Sequence, residues 1–106
     1  MNILDLPLMA IWFNMIESGE KSEEYREIKP YWIKRLKCCD HHPTSNGCDG
    51  CPVGSCDHYT HVLFRYGYTK RTMLFKLERI IVGVGRKEWG APNKEVFILK
   101  LGERIN

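Results

Sequence analysis

Residues 37–58 constrain this chain most. They hold all five cysteines, between Cys38 and Cys56, together with His, Asp, Gly and Pro and almost nothing that could build a core. A loop this long inside a compact domain is uncommon and is usually functional, metal-tied or disordered. The segment reads as an insertion, and the core has to come from the residues on either side. With 106 residues in total, the chain predicts one domain, 1–106, interrupted at 37–58. An odd number of cysteines fits a closed disulfide framework poorly. The apolar start, Leu6 to Phe13, lacks a basic leader and a small-residue cleavage pattern, so no secretory signal is expected. The expected compartment is therefore reducing and cytoplasmic, where clustered thiols more often bind metal than pair.

The spacing suits zinc. Cys48-x-x-Cys51 lets two thiolates grip one ion from a tight turn, which Gly50 and Pro52 favour. Cys56 and Cys38 complete a tetrahedral set, with Cys39 or His58 as substitutes and His41 and His42 further donors. A bound ion would also supply folding energy to a segment without a core. Free thiols in a disordered loop and partial disulfide pairing are the alternatives. A zinc deaminase is not indicated, since no His-x-Glu precedes the Cys-x-x-Cys.

The flanks read as α+β. Residues 2–7 predict a short strand closed by Pro7. Leu8, Ile11, Trp12, Met15 and Ile16 predict a helix with one apolar stripe, joined by Met9 and ended by Gly19. Residues 22–28 look extended, with Glu24 and Arg26 on one face and Tyr25 on the other. Pro30 can open a second helix that buries Trp32, Ile33 and Leu36. Strands follow over 61–66, over 72–84 (one bent strand or two, with Gly83 and Gly85 as bulges or corners) and over 96–101, which is apolar on both faces. The sum is about five strands and two short N-terminal helices on a curled sheet or barrel. No apolar run approaches the roughly 20 residues of a membrane span. Neither GxGxxG nor a phosphate-loop lysine is present: Glu88 and Ala91 stand where those motifs need Gly and Lys.

Two clusters outside the loop carry chemistry. In Gly19-Glu-Lys21-Ser-Glu-Glu24-Tyr-Arg26, two cations and an anion converge where a helix ends and a strand begins. Arg presents a planar fork, and Glu accepts from exocyclic amines, so the set suits a phosphate or a base edge. It also suits proton transfer by Glu24 beside Lys21. The plain alternative is a surface ion-pair ladder. The other cluster is aromatic and basic: Arg65, Tyr66, Tyr68, Lys70 and Arg71, then Arg86, Lys87 and Trp89. Rings that stack bases among cations that meet phosphates serve single-strand recognition. The net charge of +3 leaves anionic partners open without requiring them.

Gly19-x-Lys21-x-x-Glu24-x-Arg26 resembles the Gly-x-Lys-x-x-Glu-x-Arg motif of the ASCH domain, the activating-signal-cointegrator homology domain. Residues 23–32, 64–68, 88–91 and 97–101 are similar to small bacterial and phage members, and only the Cys-rich loop lies outside the likeness. The resemblance implies a PUA-like β-barrel with helices at its edge and a cleft carrying the motif. It also implies RNA or nucleotide binding through Gly19, Lys21, Glu24 and Arg26. Enzymatic branches of the family imply an alternative, a hydrolase acting on N4-acetylcytidine-type nucleosides or on RNA. The amidohydrolase branch carries threonine where this chain has Glu24 and uses a further downstream glutamate, for which Glu78 and Glu88 are the candidates. A third reading makes the Cys-rich loop a protein-interaction element.

Overall fold

The computed structural model describes residues 2–36 and 59–106. Cys38, Cys39, His41, His42, Cys48, Cys51, Cys56 and His58 lie outside them, and so does the expected zinc site. The described chain is α+β. Strand β1 (Ile3–Leu8) leads to helix α1 (Ala10–Glu17), strand β2 (Glu23–Arg26) and helix α2 (Pro30–Leu36). Strands β3 (His61–Tyr66), β4 (Thr72–Val84) and β5 (Glu95–Arg104) follow, with a 3₁₀ turn at Lys87–Trp89. The five strands form one curled sheet in the order β1-β3-β4-β5-β2. β1 and β3 run parallel, and the other neighbours are antiparallel. No helix among the described residues is long and apolar enough to cross a membrane.

β1 alternates, with Leu4, Leu6 and Leu8 inside and Ile3, Asp5 and Pro7 outside. It does not stop at Pro7. An edge strand has one side without ladder bonds, so a missing N–H is tolerated there, and pairing continues to Leu8 opposite Tyr66. Leu8 is therefore a strand residue, and the helical stripe shifts. α1 buries Phe13 and Ile16, with Trp12 and Met15 half-buried, while Met9 and Ile11 face solvent. Phe13 meets Tyr66 edge-on, with centroids 5.2 Å apart. Met9 and Ile11 thus leave the expected core, and Phe13 replaces them.

β4 is one bent strand. Its irregularities lie between Phe75 and Arg79, not at the glycines, and Gly83 pairs regularly with Val96. Gly85 serves close packing instead: a Cβ there would come within 2.4 Å of the Tyr25 ring.

β5 lies between β4 and β2 and is buried on both faces over Val96–Leu99. Phe97 and Leu99 join the main core with Leu6, Phe13, Phe64 and Met73. Val96 and Ile98 join Tyr25 and Ala91 in a second cluster, against which Ile81 and Trp89 pack. Ladder bonds to β5 fix β2 with Glu24 opposite Leu99.

Candidate functional site

α1 closes in a left-handed turn. Gly19 has φ +86°, and its N–H donates to the Ile16 carbonyl (3.1 Å). The turn brings the Lys21 amide back onto the Met15 carbonyl (3.0 Å) and directs its side chain inward. Lys21 is 2% exposed and Glu24 is 3% exposed. Such burial of Lys or Glu needs partners, and both have them. Lys21 Nζ donates to Glu24 Oε1 (2.9 Å) and to the Trp89 carbonyl (2.7 Å). It also lies 4.7 Å from the Trp12 ring centroid and 5.3 Å from that of Tyr25. Glu24 Oε2 accepts from Arg26 Nη1 (2.6 Å), which donates as well to the Tyr25 carbonyl (2.7 Å). The Arg26 guanidinium stands 5.4 Å from the Trp32 ring.

One buried carboxylate is thus shared by two cations, which leaves one net positive charge. That charge reaches solvent at Arg26, whose side chain is 19% exposed. Nη1 is committed, whereas Nε and Nη2 form no hydrogen bond among the described residues. That free edge of the fork is suited to a bidentate acceptor. Arg26 also lines a cleft of about 310 Å³, together with Tyr25, Glu27, Gly90, Pro92 and Val96. Trp12 packs over Gly90 (φ +94°), where a Cβ would come 2.8 Å from the indole.

Beside this set runs a second relay. Tyr25 Oη donates to Glu23 Oε1 (2.8 Å) and accepts the Arg86 amide (3.1 Å). Lys100 Nζ donates to Glu23 Oε2. Burial, helped by the bond to Glu23, pushes the Tyr25 hydroxyl up to about 12. Burial alone would raise the Glu23 carboxyl, but its bonds to Lys100 and Tyr25 outweigh that and hold it below the ordinary value.

The structure therefore joins Lys21, Glu24 and Arg26 and gives Gly19 its turn. The set is a buried relay and not a surface ladder. The candidates Tyr68, Lys70 and Arg71 lie apart, on the β3–β4 turn. Tyr68 is 96% exposed, and Lys70 is exposed beside it. Arg71 is held by both Glu17 oxygens (2.7 and 2.9 Å), and Arg65 by both Asp5 oxygens. Among the described residues no hydrogen bond, ion pair or ring contact joins this turn to Lys21, Glu24 or Arg26. Glu88 is exposed and pairs with Arg86 (3.6 Å), one residue from the carbonyl that receives Lys21. Glu78 lines a different cleft, of about 570 Å³, with Thr60, His61, Lys76 and Glu103. That cleft is larger but contains no motif residue. Among the described residues no group of three or more His, Cys, Asp or Glu side chains could hold a metal ion.

On sequence alone Trp12 and Trp32 read only as core rings. All three tryptophans of the chain touch the relay: Trp12 against Lys21, Trp32 against Arg26, and Trp89 through its carbonyl. Periodicity marks rings as buried but does not say against what. Comparison with family models, curated proteins and solved structures found no match.

Proposed function

We propose that this chain is an ASCH-like domain with a PUA-like barrel that binds RNA or a nucleotide-like ligand in the cleft beside Arg26. The observation that carries the reading is the Lys21–Glu24–Arg26 relay, which spends its buried charges on one another while Arg26, with Nε and Nη2 unbonded among the described residues, lines that cleft. An anionic phosphate or the acceptor edge of a base matches such a fork. Lys21 and Glu24 then act as supports that fix the guanidinium, and Arg26 touches the ligand. Binding is favoured over hydrolysis, because both buried residues are fully engaged and shielded from solvent, where a nucleophile or proton carrier would have to meet substrate.

The Cys-rich segment is part of the proposal. Cys38, Cys48, Cys51 and Cys56 form a structural zinc site in a cytoplasmic, reducing setting, with Cys39 or His58 as substitutes. Tyr68 and Lys70 on the β3–β4 turn offer an outlying contact for the same RNA, beside an Arg71 already engaged by Glu17.

Fluorescence anisotropy with short single-stranded RNA tests the binding reading. Arg26→Ala is expected to weaken affinity and flatten its dependence on salt. Unchanged affinity would overturn the assignment. Elemental analysis of the purified chain tests the metal: about one zinc per chain is expected, and a metal-free, fully folded protein would refute it.

A further inference from the structure

A continuous row of cations and rings leaves the cleft along α2. The Arg26 guanidinium lies 5.4 Å from the Trp32 ring, Trp32 meets Tyr31 edge-on at 4.7 Å, and the Arg35 guanidinium stacks on Tyr31 at 3.6 Å. Tyr31 is 55% exposed although it is a large ring on a helix, and Trp32 is half-buried. Arg35 Nη1 also donates to the Tyr31 carbonyl (3.2 Å), so its plane is fixed on the ring. Charge along this row is one-sided. Residues 26–36 contain Arg26, Lys29, Lys34 and Arg35 against a single acid, Glu27, which is already paired with Lys29 and Lys94. Lys34 and Arg35 form no ion pair among the described residues. The β3–β4 turn differs, since its Arg71 is neutralised by Glu17 and the neighbouring Arg65 by Asp5.

The geometry points to α2 as the track of a single-stranded RNA whose nucleotide at the cleft is held by Arg26: Tyr31 stacks an adjacent base, and Lys34 and Arg35 meet its phosphates. Cationic grooves set with stacking rings are how single strands are bound without base pairing. This inference rests on the proposed binding at Arg26 and extends it by assigning the flanking contacts to a surface the motif does not include.

The test is anisotropy of a labelled, roughly ten-nucleotide single-stranded RNA against wild type, Arg26→Gln, Tyr31→Ala, Lys34→Gln and Arg35→Gln, with circular dichroism confirming each fold. Tyr31→Ala is expected to weaken binding about tenfold. Lys34→Gln and Arg35→Gln should each lower the salt slope by about 0.7, as for one single-strand phosphate. If Arg26→Gln weakens binding while the three α2 variants match wild type, the track is overturned and the cleft stands. If the α2 variants weaken binding and Arg26→Gln does not, the track stands and the cleft assignment falls. No wild-type binding to the RNA would overturn both. Poly-glutamate bound as tightly as RNA, with Tyr31→Ala silent for each, would mark an acidic-peptide face and overturn the track.

Discussion

Lys21 and Arg26 are both basic, yet their surroundings give them different work. Lys21 is enclosed by Glu24, the Trp89 carbonyl and two rings, so its removal leaves Glu24 buried with one cation in place of two. Lys21→Met is expected to lose about 3 kcal/mol of stability, read from the denaturant midpoint. Arg26→Gln, at a half-buried site, should lose less than half as much while losing the ligand. Equal losses in the two variants would contradict the division of labour. Tyr25 supplies a pH test. Its hydroxyl is raised from 10.0 to about 12, so the folded state holds a proton that the unfolded chain releases. The stabilisation is complete below pH 10 and fades as pH rises towards 12. Alkaline unfolding should therefore be steeper in wild type than in Tyr25→Phe, and identical alkaline limbs would refute the burial of that hydroxyl.

Within the elements, three glycines position the site by different means. Gly19 has open space around its Cα but a left-handed φ, so Gly19→Ala is expected to cost about 1 kcal/mol through backbone strain alone. Gly85 has no such φ, but a Cβ there would strike Tyr25 and Ala91, so Gly85→Ala should cost about 1–3 kcal/mol through overpacking. Gly90 combines both constraints against Trp12. Of these roles the Gly19 turn was legible, because a glycine just past an apolar stripe is a local signal. In sequence Gly85 suggests a bulge or corner, whereas its actual reason, the approach of Tyr25 from 60 residues earlier, is tertiary. The same limit explains α1. Periodicity found the helix, but its phase depended on whether Leu8 belonged to the strand, and edge pairing with β3 settled that. The interior character of β5 needed no tertiary knowledge, since an unbroken apolar run has only buried places to go.

For the whole molecule, the sheet order makes the site. β2 is sequentially close to β1, yet it joins the opposite edge beside β5, which carries Glu24 and Arg26 to the 3₁₀ turn and its Trp89 carbonyl. The motif spacing said that these charges share a face. Their burial, and the contact with residue 89, arise only when the sheet curls. The proposed role of this relay is to present Arg26 to a nucleotide-like ligand. Its most direct test is an NMR titration of the isotopically labelled protein with short single-stranded RNA, cytidine and N4-acetylcytidine. RNA is expected to shift the Arg26 side-chain resonance first, then Lys21 and Glu24, with the modified nucleoside left unconverted. No change at Arg26 with any of the three would contradict the binding site, and conversion of N4-acetylcytidine to cytidine would replace binding with catalysis.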